Sequence, residues 1–388
     1  NIWAMKEGSA VFPNEPLIRI EADTVEALLL EGLILNMINF QTLIATKTAR
    51  IWLASKKGAI MEFGLRRAQG NDGAMSATRA AYIGGAFGTS NSLAAKELGI
   101  PALGTMAHSW IMSFKNEEDA FQAYADMYPD NSIFLIDTYD TLRSGIVNAI
   151  KVGKRLQEKG KNFGVRLDSG DIYYLSKDVR KRLDEAGCPT AKISVSNELT
   201  EEIVESLVQN NAPIDSWGVG THMVTGGNEA SLTGVYKMAA RKSLGETEWT
   251  PVMKFSDNPA KMTNPACKQV WRLYNSDGTF KADVLTLENE KIEEGVEQTF
   301  YHPANDYQNF TFTPAKVEAL LEKRIENGKA VGKAPSLKEI KAYAEKQLDS
   351  LDYTSKRLLN PHIYKVSLSE KMRDLKQKLI KNKPIFKN

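Results

Sequence analysis

Between Ala59 and about Tyr236, short apolar runs alternate with stretches whose apolar residues recur at helical spacing. The runs at 60–63, 102–104, 133–136, 163–167, 192–196 and 216–219 are bounded by turn-forming residues, which predicts strands. The helical stretches open at good capping residues: Ser76 before ATRAAY, Asn116 before EEDAF and Thr200 before EEIVESL. Strands alternating with helices favour parallel pairing, and so an α/β fold built on an irregular parallel βα barrel or part-barrel rather than a sandwich.

The two ends of the chain carry a different pattern. Residues 8–22 (GSAVFPNEPLIRIEA) predict two short strands around the Pro-Asn-Glu-Pro turn, and a long helix follows from about Thr24. Beyond Tyr236, strands are predicted at 237–240, 252–255, 269–274 and 282–287, with a tight turn at Asn275-Ser276-Asp277-Gly278. The tail from about Pro314 predicts helix, and KRLLNPHIYKVSLS reads as the final packing segment. The expected organisation is therefore residues 1–23 as strands of a flanking sandwich domain and 24–58 as a connecting helix. Residues 59–236 form the barrel carrying the active site. Residues 237–388 return to the β-rich α/β sandwich domain, so that both chain ends build it, and finish in a helical tail.

Composition narrows the function more than the fold. A net charge of +2 provides no global field for nucleic acid or an anionic membrane surface, so neither partner is expected. Residues 25–53 are the most hydrophobic stretch, but Glu26, Glu31, Asn36, Asn39, Gln41, Lys47 and Arg50 interrupt it. A buried or half-buried helix is expected there, not a membrane span. Two cysteines, Cys188 and Cys267, cannot make a disulfide framework or a thiolate zinc site alone, which suits a reducing, cytoplasmic setting. No signal-peptide pattern is present, and the opening residues read as the interior of a domain, so an upstream segment is expected.

The candidate chemistry lies in the polar loops after the predicted strands. EFGLRRAQG, GGAFGTSNSLAA, IPALGTMAHSW, GVRLDSGD, SVSNELTEE and WGVGTHMVTGG offer small residues, hydroxyls and backbone N–H groups suited to phosphate. In RLDSGD, Arg166 and Asp168 flank Leu167, so their side chains leave the strand end on one side. Arg166 can pair with an anion, while Asp168 and Asp171 can serve ribose hydroxyls or a metal ion; an Arg–Asp pair capping the next helix is the structural alternative. Ser169 and Gly170 free N–H groups at that helix start. Asn197 adds a polar group at the next strand end. His108, between Thr105 and Ser109, is a candidate phosphoryl acceptor. Phe63 can stack on a flat ligand, with Arg66 or Arg67 for its carboxylate; core packing and a solvated charge are the alternative.

These motifs, with VFPNEPLIRIEA, INFQTLIATKTAR and KRLLNPHIY, resemble nicotinate phosphoribosyltransferases over nearly the whole chain. The resemblance implies a type II phosphoribosyltransferase-like barrel and a homodimer with shared active sites. The implied enzyme joins nicotinate to 5-phosphoribosyl-1-diphosphate, with Mg²⁺ and coupled ATP hydrolysis, in NAD biosynthesis by salvage. It makes His108 the phosphohistidine and puts Asp168 near the ribose. Thr105 and Arg166 become nicotinate contacts, joined by Phe63, Arg66 and Ser90. Thr221, with Gly218 and Gly220 shaping its loop, becomes a phosphoribosyl-phosphate contact, supported by Ser169, Gly170 and Asn197; Asp171 is a candidate metal ligand. Nicotinamide-using relatives carry an aspartate where Ser90 stands, which favours the acid as substrate. The family also has an upstream Thr-Asp-x-Tyr segment whose tyrosine covers the pyridine ring from the partner subunit, and this sequence lacks it. A nicotinamide-specific relative, another sugar-phosphate barrel enzyme and a truncated, non-catalytic dimerising subunit stay open as alternatives.

Overall fold

The computed structural model describes residues 1–256, 262–305 and 307–382. Two compact units emerge, one of residues 39–232 and one of residues 1–38 with 233–388. The division falls inside the helix Glu31–Ala54.

The first unit holds a six-stranded, all-parallel half-barrel sheet. Its strands lie in the order Gly88–Thr89, Ala59–Glu62, Ser216–Val219, Lys192–Asn197, Phe163–Leu167, Ser132–Leu135. Five of the six predicted strands form within a residue or so of expectation. The sixth, 102–104, reduces to a single bridge from Ala102 to Thr89. The glycine-rich stretch after Phe87, read as loop, supplies the short strand Gly88–Thr89 instead. A Cβ at Gly88 would stand 2.5 Å from the Pro101 carbonyl oxygen, so only glycine lets the two segments approach so closely.

Helices cover the sheet. Asn116 and Thr200 cap Glu117–Met127 and Glu201–Gln209 through their side chains, as predicted. Ser76 does not cap: the helix begins at Gly70 and runs to Ile83, so Ser76 lies inside it. Its buried face is largely alanine (Ala74, Ala77, Ala80, Ala81), which lets it pack close, and its C-terminal Gly84 has room for no Cβ against Ala45 and Thr48.

The predicted helix from Thr24 forms in two pieces, Thr24–Leu29 and Glu31–Ala54. Burial differs from expectation along it. Leu43, Ile44, Ile51 and Trp52 are buried, whereas Val25, Leu28, Leu29, Leu33 and Met37 are exposed. By length and composition alone Thr24–Ala54 is apolar enough to cross a membrane, with a mean hydropathy of 1.5 over its most apolar window, of which 11% is buried.

The second unit is β-rich. One sheet is antiparallel, in the order Lys329–Ala330, Glu322–Glu326, Ile2–Ala4, Ile18–Ile20. The other is mixed and six-stranded, in the order Asn309–Phe312, Gln298–Tyr301, Val366–Leu368, Phe280–Leu287, Lys268–Tyr274, Lys316–Ala319. Both chain ends contribute strands to this unit. Several local expectations fail here. The strand before the Pro-Asn-Glu-Pro turn is Ile2–Ala4, not part of 8–12. Residues 252–255 are irregular, and 237–240 contributes only Ala240 to a two-residue strand. The tail is not uniformly helical from Pro314: it forms strands to Ala330, then the helices Leu337–Ser350 and Glu370–Lys381 around the buried strand Val366–Leu368. Residues 316–326 form two strands, Lys316–Ala319 and Glu322–Glu326, in different sheets, and their many strong helix formers hide the strands.

Candidate active site

A parallel sheet sends every strand's C-terminal end to one edge. In the half-barrel those ends are Glu62, Thr89, Leu135, Leu167, Asn197 and Val219. The residues that follow, Phe63, Ser90, Asp137, Asp168, Glu198 and Thr221, therefore rise on the same rim. Nothing nearer in sequence would bring them together.

Arg166 and Asp168 form the centre. Arg166 Nη2 lies 3.1 Å from Asp168 Oδ1, while Leu167 between them is buried on the opposite side, as the strand alternation predicts. Nη1 of Arg166 donates to the Thr105 hydroxyl and, at 3.5 Å, to the Met106 carbonyl. The guanidinium lies 5.9 Å from the Phe63 ring centre. Asp168 Oδ1 also accepts from the Ser196 hydroxyl. Burial pushes the Asp168 carboxyl up; the Ser196 hydroxyl, the Arg166 guanidinium and His108 push it down, and the balance lies below the ordinary value.

His108 starts the short helix His108–Met112. Its Nδ1 lies 3.0 Å from the Thr138 hydroxyl, and its Nε2 lies 3.6 Å from Asp168 and 4.0 Å from Asp137. Asp137 is nearly fully buried and organises the neighbouring loop: Oδ2 accepts from the Asp168 N–H at 3.0 Å and from the Ser169 hydroxyl at 2.6 Å. Among the described residues, two buried polar atoms of this cluster have no hydrogen-bond partner, Asp137 Oδ1 and Arg166 Nε. Each such atom costs about 1–3 kcal/mol, a pattern expected where a ligand or ion completes the network.

The remaining predicted residues distribute around this centre. Gly218 lies within a strand, not in the loop it was expected to shape. A Cβ there would stand 2.7 Å from the Phe63 ring, so glycine at 218 makes the space that ring occupies. Gly220 precedes the helical turn Thr221–Thr225, and Thr221 donates to Glu198 at 3.1 Å. Gly170 takes φ +80, and Asp171 caps the helix Ile172–Glu185 by accepting from the Tyr174 N–H at 3.0 Å. The Arg–Asp pair and the helix cap, weighed in the sequence as one structural unit, are thus separate: Asp168 pairs and Asp171 caps. Gly170, Asp171 and Asn197 line one cleft of about 570 Å³ together with Tyr173, Glu198 and Glu202. Ser90 is exposed, its hydroxyl donating to the Glu62 carbonyl at 3.2 Å, and Arg66 is exposed in the turn Leu65–Arg67. Among the described residues, Asp171 joins no group of acidic, histidine or cysteine side chains close enough to share an ion. Such a group exists in the β-rich unit, at Glu21, Cys267 and Glu288.

Four participants were missed as individual residues: Asp137, Thr138, Ser196 and Glu62. The available signal for the first two is the polar run Asp137-Thr138-Tyr139-Asp140 that directly follows the strand predicted at 133–136. Ser196 and Glu62 fall inside the stretches SVSNELTEE and EFGLRRAQG but at strand positions, with nothing to single them out.

A parallel half-barrel whose rim gathers an arginine, a histidine, paired aspartates and glycine-rich turns defines an α/β-barrel enzyme for a phosphorylated substrate. Residues 59–303 match the model of the nicotinate phosphoribosyltransferase (NAPRTase) family, and 267–376 match that of the nicotinate phosphoribosyltransferase C-terminal domain. This chain belongs to the nicotinate phosphoribosyltransferase family. It is 42% identical over 369 residues to the Bacillus subtilis nicotinate phosphoribosyltransferase, covering 95% of this chain and 75% of that protein. The Dictyostelium discoideum enzyme of the same name is 35% identical, covering 96% of this chain and 72% of its own. The crystal structure of human nicotinic acid phosphoribosyltransferase superposes with a TM-score of 0.83 at 30% identity, covering 97% of this chain and 82% of that one.

Proposed function

We infer that this chain joins nicotinate to 5-phosphoribosyl-1-diphosphate, giving nicotinate mononucleotide and diphosphate in NAD salvage. The observation that carries this reading is the rim cluster: Arg166 held between Thr105, Asp168 and the Phe63 ring, with His108 beside it. In the transfer, the pyridine nitrogen forms a bond to ribose C1 as the bond from C1 to the diphosphate oxygen breaks, through a cationic, oxocarbenium-like ribose. Arg166 and Thr105 hold the nicotinate carboxylate, Phe63 offers a ring face to the pyridine, and Arg66 supplies a second cation. Asp168, kept charged below its ordinary pKa, faces the positive charge that develops on the ribose. Thr221, Ser169, Asn197 and the N–H groups around Gly170 and Gly220 take the phosphates. Nicotinamide is not favoured, because Ser90 leaves no carboxylate beside the ligand's own.

ATP is proposed as co-substrate, with His108 as acceptor. Thr138 engages Nδ1, which leaves Nε2 to attack the γ-phosphorus; the phosphoryl group passes to Nε2 and ADP leaves. The phosphorylated ring carries roughly two negative charges beside Asp168, enough to reorder the rim between the two half-reactions. The buried, unpartnered Asp137 Oδ1 and neighbouring Asp168 fit a magnesium ion that arrives with substrate phosphates. That ion would neutralise phosphate charge; Asp171 is already committed as a helix cap. Homodimeric action in a reducing cytoplasm is proposed with the same reading, consistent with both cysteines being free.

Incubating the chain with nicotinate, 5-phosphoribosyl-1-diphosphate and Mg-ATP should yield nicotinate mononucleotide by chromatography, and absence of product would sink the reading. His108→Ala should abolish ATP stimulation and acid-labile phosphorylation while leaving slow, uncoupled transfer. A label on His222 instead would remove His108 from the coupling step.

A further inference from the structure

Glu62 is the last residue of the strand Ala59–Glu62, and its side chain is 1% exposed inside the half-barrel. A buried carboxyl is costly unless its oxygens are fully engaged. Among the described residues its partners are neutral donors, and none is a cation. Oε1 accepts from the Gly64 N–H. Oε2 accepts from the Thr78 hydroxyl at 3.1 Å and from the Thr89 hydroxyl. The main-chain carbonyl of the same residue accepts from the Ser90 N–H at 2.9 Å and from the Ser90 hydroxyl at 3.2 Å. The network continues outward. Thr89 Oγ1 accepts from the Asn91 N–H at 2.9 Å, and Asn91 Oδ1 accepts from the Ala94 N–H, capping the helix Ser92–Leu98.

Both turns that Glu62 grips carry predicted ligand contacts. Gly64 belongs to the turn bearing Phe63 and Arg66, and Thr89 to the turn bearing Ser90. These turns follow neighbouring parallel strands, paired Met61 to Gly88 and Glu62 to Thr89. Between them the main chain contributes the bonds from Ser90 to the Glu62 carbonyl, and the Glu62 side chain is what reaches both Gly64 and Thr89. Ionic pairing would be tolerant of angle, whereas three directional neutral donors are not.

We propose that Glu62 is a positioning residue that fixes the Phe63–Arg66 turn relative to the Ser90 turn and so sets the geometry of the pyridine-carboxylate end of the site; this rests on the nicotinate reading above. Glu62 touches no substrate. It acts through Gly64 and Thr89, chiefly on the aromatic ligand: the loop at Ser169 and Gly170 hangs from the non-adjacent strand Phe163–Leu167, while the Thr221 turn meets Gly64 through Val224.

Glu62→Gln tests this at constant volume. The amide can keep its oxygen on the Gly64 N–H and turn its NH2 to the threonine hydroxyls. Thr89 Oγ1 must then accept a second bond beside the Asn91 N–H, its own hydroxyl hydrogen loses Glu62 as acceptor, and the charge-assisted bonds are replaced by weaker neutral ones. The expected result is a rise of about tenfold in KM for nicotinate, with the KM for 5-phosphoribosyl-1-diphosphate within about twofold of wild type. Amide exchange at Gly64 and Asn91 should be faster. Thr89→Val removes one donor and should repeat the pattern more weakly, which keeps the test available if the glutamine variant fails to fold. A fall in thermal stability with both KM values unchanged, or an equal rise in both, would overturn the inference and leave Glu62 a brace for the barrel alone. If wild type makes no nicotinate mononucleotide, the functional reading has failed separately, and exchange decides the positioning claim: unchanged rates at Gly64 and Asn91 in both variants overturn it, and faster rates support it.

Discussion

Each unit of this chain holds an arginine–aspartate pair, one fully buried and one half-buried, and the two are finished differently. In the β-rich unit, Arg272 is 0% exposed and every nitrogen is used. Nε and Nη2 meet both oxygens of Asp283 at 2.9 and 2.6 Å, Nη1 donates to Gln347 at 2.7 Å, and Nη2 also reaches the Ala10 carbonyl at 2.8 Å. Phe280 stacks 4.3 Å from the guanidinium, and Tyr364 donates to Asp283 at 3.0 Å. In the half-barrel, Arg166 makes one contact to Asp168 and leaves Nε unpartnered, and nearby Asp137 leaves Oδ1 unpartnered. Chemically similar pairs thus serve opposite ends. Arg272 spends all its hydrogen-bonding capacity on the fold, whereas Arg166 retains a buried nitrogen that a ligand could engage.

The comparison breaks most visibly in stability. Arg272→Ala should strand Asp283 without its cation and lower unfolding free energy by about 3–5 kcal/mol, measured by denaturant titration. A loss under about 1 kcal/mol would mean the closed network contributes little to the fold.

Arg166→Ala should do the reverse, sparing the fold and weakening the ligand. Removing a charge-assisted contact to a buried anion costs about 2–5 kcal/mol, so nicotinate affinity should fall more than about tenfold by calorimetry while the thermal midpoint moves only a few degrees. Unchanged affinity would place Arg166 with Arg272 as scaffold.

The two networks should also respond to pH with opposite sign. Glu15, beside Asp283, is pushed upward by burial first and then by the Asp283 charge. A raised acid holds its proton in the fold, so its contribution is complete below the ordinary value of 4.5 and is lost as pH rises through the higher folded value. Asp168 lies below its ordinary value of 3.8, so its contribution is present above that value and is lost as pH falls through the lower folded one. Stability profiles of Glu15→Gln should therefore flatten on the rising-pH side, and those of Asp168→Asn at the acid end. Identical profiles for both variants would remove the distinction.

The smallest effect concerns selectivity within the open site. Ser90→Asp sets a carboxylate beside the ligand's own and should raise the KM for nicotinate by several-fold, with nicotinamide affected less. If the preference for the acid is retained, discrimination lies elsewhere on the rim.

The half-barrel was readable because its signal is local and repeated. Each strand such as Phe163–Leu167 is a short apolar run, and each helix such as Glu201–Gln209 announces itself by a cap. The β-rich unit was less readable because its partners are distant in sequence. Ile2–Ala4 pairs on one edge with Ile18–Ile20 but on the other with distant Glu322–Glu326, and the charged residues of that partner looked helical without a sheet to place them on. The site shows the same limit. Arg166, Asp168 and His108 stood out by residue type and flanking turns, while Ser196 and Glu62 looked like ordinary strand residues.

The sequence alone thus determined the parallel α/β architecture, the rim loops and the family, since motifs and hydrophobic period are written in consecutive residues. Tertiary structure alone decided which atoms meet: that Thr138 takes Nδ1 of His108, that Gly218 makes room for Phe63, and that Asp171 caps a helix. The physical reason is that hydrogen bonds and close packing act over a few ångströms. Contacts such as His108 with Thr138 and Thr105 with Arg166 join residues 30 and 61 positions apart, and only the sheet brings them within that range.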